Sequence, residues 1–222
     1  MSPFFGVSQA GWTDMSDFVV HFAKDYGGRS GYENMLSILS KRRIEARNPF
    51  GIARDKAPDI GSQNVACFSE VPLHRLSRLA KARSDYGIVF RKDIVIHRKA
   101  NPILYAYKDH SVLSALKKLM SAAKHDAANP VWMITPFIDA PGDYGKSKYF
   151  FEWEREWRKV GHYKFTTDEV EFLVIPEDLH EVARGFFKAA KAENRGPSYE
   201  CPFIDPYWSL KKIKPLLPKH VE

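Results

Sequence analysis

Three glutamates occupy alternate positions in YFFEWEREWRK, residues 149–159, with tryptophans and arginines set among them. Carboxylates spaced so closely repel one another, so the arrangement needs either arginine partners or a cation that it is built to meet. As extended chain, the segment puts Glu152, Glu154 and Glu156 on one face, roughly 6–7 Å between successive positions. Trp153, Arg155 and Trp157 take the other face. That aromatic side packs inward and leaves the carboxylates facing solvent or a cleft. At about 4 Å and an effective dielectric near 20, one carboxylate stabilises a unit positive charge by roughly 4 kcal/mol, about a thousandfold in rate. A cleft lined this way suits a cationic substrate or a cation-like transition state. The blander reading is a solvated edge strand whose glutamates pair with Arg155, Arg158 and Lys159.

Two other positions could carry chemistry. His21 lies in the apolar run VVHF just before GGRSG, residues 27–31. It is either a core histidine bonded to backbone or a group facing that turn, whose amides at a helix start can meet an anion such as a pyrophosphate. In CFSE, Ser69 and Cys67 share one strand face and Phe68 and Glu70 the other. No base accompanies Ser69 in the sequence, so it reads as a positioning residue and not as a nucleophile. The chain has no phosphate-binding Walker loop, no G-x-S-x-G elbow, no H-E-x-x-H and no dinucleotide glycine fingerprint. Its 8 histidines lack metal-ligand spacing, which argues against a zinc enzyme.

The elements that must position these residues follow from periodicity. Residues 18–24 read as a buried strand, followed by the glycine turn and a helix carrying Met35, Leu36, Ile38, Leu39 and Ile44. Residues 65–71 read as a second strand and 73–83 as a short amphipathic helix with Leu73, Leu76 and Leu79 inward. Residues 86–90, 93–96, 103–108, 131–138, 149–159 and 170–176 read as further strands. Residues 111–126 form a helix capped by Ser111, with Val112, Leu113, Leu116, Leu119 and Met120 as its inner stripe. Residues 177–194 form another helix, stopped by Gly196 and Pro197. Strands in runs, with helices between only some of them, predict a mixed α+β fold over residues 1–222 as a single domain.

The chain has 222 residues, 44% of them apolar and 14% aromatic, enough for a packed core. No apolar run reaches the roughly 20 residues of a membrane span, and residues 1–12 lack a secretory layout, so the expected location is cytoplasmic and away from membrane. Two cysteines, Cys67 and Cys201, fit a reducing compartment as thiols. The net charge of +7 and basic clusters at 41–43, 91–99, 117–118 and 211–219 fit either a nucleic-acid partner or ordinary solvated faces.

The histidine strand, YENMLSILS, CFSEVPL, YGIVF and WEREWR together resemble the AbiGi family of bacterial abortive-infection proteins across most of the chain. CFSE and E-x-E-W-R are also similar to bacterial domains of ADP-ribosyltransferase type. The histidine strand with its following helix is similar to DarT-like enzymes, although Ala23 stands where those usually carry threonine. The resemblance implies a split mixed β-sheet of ADP-ribosyltransferase type with flanking helices and NAD bound between its halves. On it His21 would hold the adenosine ribose and Ser69 would brace the nicotinamide side. Arg158 would neutralise phosphate or pair with a sheet carboxylate. Glu156 would be the catalytic residue that stabilises the oxocarbenium-like centre as nicotinamide leaves, with Glu154 orienting or deprotonating the acceptor. The expected function is then an ADP-ribosyltransferase toxin or effector of a phage-defence or toxin–antitoxin system, NAD-dependent, acting on a macromolecule, with RNA or DNA preferred over protein. The alternative is a non-catalytic antitoxin or binding module, because the AbiGi name carries an antitoxin label in two-gene defence systems. Either role implies a cognate toxin or antitoxin protein. A nuclease or RNA-binding role run by the basic face is a third reading.

Overall fold

A computed structural model describes residues 16–70 and 72–217. Residues 1–12, read above for a secretory layout, lie outside that range, as do Val71 of the second expected strand and the end of the last basic cluster. The protein is mixed α+β with mostly antiparallel strand pairing. No helix among the described residues is long and apolar enough to cross a membrane. The chain divides into two compact units, one from residues up to 43, 70–97 and 164 onward, the other from residues 44–69 and 98–163.

The first unit is built on strands rich in β-branched and aromatic residues, which suit a pleated surface covered on both sides. Phe18–Phe22 runs antiparallel to Gly87–Arg91, with His21 opposite Ile88. Val170–Val174 pairs antiparallel on the other side of Gly87–Arg91 and carries Phe203–Ile204 parallel at its edge. Phe18, Val20 and Phe22 pack with Val89, Phe172, Val174 and Ile204, and the helix Leu76–Ala82 adds Leu76 and Leu79. Lys92 and Glu70, both nearly buried, form an ion pair at 3.0 Å.

The glycine turn has a local purpose. Gly27 and Gly28 take φ of 63° and 75°, the left-handed values that a two-residue hairpin turn needs at both central positions. The helix Gly31–Lys41 then starts with a capping box, Ser30 Oγ accepting from the Glu33 amide and Glu33 accepting from the Ser30 amide. Gly31 N donates to Asp25 Oδ1 at 2.7 Å. The amides of Ser30, Gly31 and Glu33 at the helix start are therefore held by side chains of the same chain.

In the second unit, residues 65–69 of the strand Val65–Glu70 pair antiparallel with Glu156–Val160, which pairs on its other edge with Asn101–Pro102. The helix Ser111–Ala123 packs Met120 and Ala123 against Val131 and Trp132, and Leu113 and Leu116 against Ala106 and Ile138.

Four sequence expectations are corrected. Residues 93–96 belong to the helix Lys92–His97, since a run of three apolar residues cannot by periodicity distinguish strand from buried helix. Residues 131–138 form the helical turn Val131–Ile134 and a 3-10 turn before a short strand at Ile138–Asp139. Pro130 opens that turn and Asn129 Oδ1 accepts from the Val131 amide at 3.1 Å, helix-start chemistry that outweighs strand propensity. Only Leu104–Tyr105 of residues 103–108 is strand. Ser111 is the first helical residue and not the cap, which is His110, and Val112 and Leu119 lie outside the buried stripe.

Gly51 turns the chain with φ of 85°, and a Cβ there would collide with the Thr135 carbonyl oxygen. Gly51→Ala combines left-handed strain with that collision and is expected to cost more than about 2 kcal/mol, read as a lowered urea midpoint. An unchanged midpoint would contradict the placement of this turn.

Candidate functional site

The glutamate segment does not run as one strand. Tyr149 ends the short strand Lys148–Tyr149, Glu152–Glu154 is a 3-10 turn, Arg155 closes it with φ of 48°, and a strand resumes at Glu156–Val160. The left-handed residue breaks the alternation, so Glu154 and Glu156 serve different partners. The expected row of three carboxylates on one face is corrected accordingly. Glu152 accepts from the Tyr107 hydroxyl at 2.9 Å in an exposed position. Trp153 stays 37% exposed while Trp157 is buried, so the two tryptophans do not share one packed face.

On the extended part, Glu156 lies opposite Ser69 and Arg158 opposite Cys67, so all four share one face of the strand pair. Arg158 is 0% exposed. A guanidinium carries five N–H donors in a fixed fork and has no acceptor of its own. Here every one is matched. Nε donates to Glu156 Oε1 at 2.7 Å and Nη2 to Glu156 Oε2 at 3.0 Å. Nη1 donates to Asp139 Oδ1 at 3.1 Å and to the Pro136 carbonyl at 2.8 Å, and Nη2 donates to Asp139 Oδ2 at 2.5 Å. The Phe50 ring lies 5.1 Å from the guanidinium carbon. Two paired carboxylates on one fork are strong, charge-assisted contacts, and they offset the heavy cost of burying the charge. Burial alone would lower the Arg158 pKa, but Glu156 and then Asp139 outweigh it and raise it above the ordinary value.

Neighbouring groups complete the cluster. Tyr149 donates to Asp139 Oδ2 at 2.6 Å, and burial followed by that hydrogen bond pushes the phenol well above its usual range. The Tyr105 hydroxyl accepts from the Glu156 amide at 3.3 Å, and burial raises its pKa to about 12. Burial, followed by the charge of Glu156, raises the Cys67 thiol, which leaves it protonated and unlike an activated nucleophile. Ser69 donates to Glu154 Oε1 at 2.5 Å, with Ser69 3% and Glu154 7% exposed. Ser69 thus anchors the 3-10 turn through its carboxylate.

Of the residues singled out in the sequence, Ser69, Glu154, Glu156 and Arg158 lie in the second unit, and His21 lies in the first, partly buried within Phe18–Phe22. Arg158 pairs with a sheet carboxylate, one of the two roles the resemblance gave it. The sequence reading missed Asp139, Tyr149 and the Pro136 carbonyl. An acid ending the apolar run ITPFI was the available signal for Asp139. Nothing local points to the carbonyl.

A family model described as "Putative abortive phage resistance protein AbiGi, antitoxin" matches residues 37–199. That is most of the chain, and the chain belongs to the AbiGi family. No match was found among curated proteins or among solved structures. The family's description corrects the expected function: it is that of an antitoxin of abortive infection, which favours the non-catalytic alternative over an ADP-ribosyltransferase toxin. The expected transferase-type sheet, NAD and the DarT likeness rest on the sequence resemblance alone.

Two outcomes follow from the cluster. Arg158→Met leaves two buried carboxylates without their counter-charge and is expected to cost about 3–5 kcal/mol in urea unfolding. A loss under about 1 kcal/mol would contradict the five-donor geometry. The raised phenols give the second. A group with a higher pKa folded than unfolded contributes stability below its unfolded value and loses it as pH rises. With Tyr105 moving from 10.0 to about 12, urea stability should hold up to about pH 9 and fall between about pH 10 and 12. Tyr105→Phe should flatten part of that fall, and an identical alkaline limb in the variant would count against it.

Proposed function

We propose that this protein is the antitoxin of an abortive-infection system and neutralises its cognate toxin by forming a complex with it, without chemistry of its own. The observation that carries this reading is the AbiGi antitoxin model matching residues 37–199. The cluster supports it. A carboxylate that stabilises a cation-like centre must offer its oxygens to the ligand. Both oxygens of Glu156 are engaged by Arg158, and all five donors of Arg158 are engaged by the protein, so neither is set out for a sugar or a phosphate. The cluster then serves as an internal scaffold, and recognition falls to the surface. A net charge of +7 favours association with an acidic partner surface, raising the encounter rate more than the final affinity.

Expression separates this role from that of a toxin. The chain expressed alone should leave growth unchanged. Co-expressed with the product of the neighbouring gene, it should restore growth that the product alone arrests, and the two should co-purify. Growth arrest by this chain alone, or failure to rescue, would overturn the reading.

A further inference from the structure

We infer that the helix Ser111–Ala123 is the docking surface for the cognate toxin, and that the toxin meets it with an apolar face edged by carboxylates. This rests on the antitoxin reading and names the surface that would perform it. The helix carries more apolar residues than its packing uses. Leu113, Leu116, Met120 and Ala123 are buried against the second unit's core. Val112, Ala115, Leu119 and Ala122 follow at i, i+3, i+7 and i+10, which at 100° per residue puts them within an arc of about 80° beside the buried stripe. All four are exposed, Val112 at 50% and Leu119 at 56%. Single exposed apolar residues need no explanation, but four aligned along three turns of one helix form a continuous strip of the kind that marks an interaction site.

Charge selects the occupant. No acid lies within residues 111–123; Asp109 precedes the helix and Asp126 follows it. Lys118 borders the strip at the middle of the helix, Lys117 lies beyond the buried stripe, and Lys124 follows the last turn. A second copy of this chain docked antiparallel on the strip would bring the two Lys118 side chains together near the symmetry axis, where they repel. RNA would use the lysines but gain little from a strip of valine, alanine and leucine. An acidic-edged apolar protein face uses both features, the apolar contact for affinity and the lysine edge for orientation and encounter.

The test uses the whole chain and the neighbouring gene's product. V112E/L119E places charge on two exposed positions, so circular dichroism and the melting temperature should match the wild type. Its affinity for the toxin should fall at least 100-fold, and rescue of growth should fail. Lys118→Glu should weaken binding about tenfold and reduce its dependence on salt. A V112E/L119E protein that is folded and binds as tightly as wild type overturns the docking surface while leaving the antitoxin role standing. If the wild type neither binds nor rescues, the antitoxin role fails and the docking surface with it. Single-stranded RNA titrated against both proteins provides the remaining arm: RNA binding lost in V112E/L119E while toxin binding is unchanged also overturns the proposal. Should V112E/L119E unfold, Leu119→Ser and Val112→Ser carry the same comparison with an expected loss of about tenfold.

Discussion

A buried guanidinium must find five acceptors or the chain cannot fold around it, and much of the second unit's local geometry meets that demand for Arg158. The Glu156–Val160 strand supplies one carboxylate two residues away, on the same face. The turn Thr135–Phe137 supplies the Pro136 carbonyl from its middle residue, and the short strand Ile138–Asp139 supplies the second carboxylate. Gly51, which tolerates no Cβ against Thr135, lets the chain pass close to that turn. The Tyr149 hydroxyl then holds Asp139 from the other side. Each of these contacts lies at a different place in the sequence, and all converge on one side chain.

Such a cluster can look like an active site, because paired acids, a buried arginine, a serine and a cysteine are the usual parts of one. What distinguishes it is who holds the lone pairs. Both acids are bonded to the arginine fork, the serine donates to a third acid, and the thiol is pushed towards its neutral form. Buried ion networks of this kind add little net stability over an apolar core of the same shape, yet removing one member is costly. Their effect is to admit one arrangement of the chain. In the proposed antitoxin role, a single rigid arrangement under a binding surface lowers the cost of ordering on binding.

Much of the architecture was legible in the sequence. FVVHF has the β-branched and aromatic density of a covered strand, and the glycine turn followed by apolar residues at helical spacing marks a helix that the structure keeps. The family was legible too, from motifs spread over most of the chain. The glutamate segment was not, because its alternation is perfect while its backbone is broken at Arg155. Arginine is not a residue that advertises a left-handed turn, so no local signal warned of it. Asp139 stands 19 residues from Arg158, and composition cannot report such a pairing. The stripe of the helix Ser111–Ala123 was only partly legible: Val112 and Leu119 fit the inner face by periodicity, but tertiary packing turned the helix and left them outside. The expected toxin function was overturned by the family's antitoxin description and not by anything in the carboxylate segment.

On the proposed function, the charged cluster holds the protein together and does not act on a substrate. Glu156→Gln tests it most directly, because it removes one charge at nearly constant shape. Toxin affinity and growth rescue would be measured together with the melting temperature, at a temperature where the variant is fully folded. A lowered melting temperature with unchanged toxin affinity and rescue is the predicted result. A variant with wild-type melting temperature that has lost rescue would contradict the account and return Glu156 to a direct functional role.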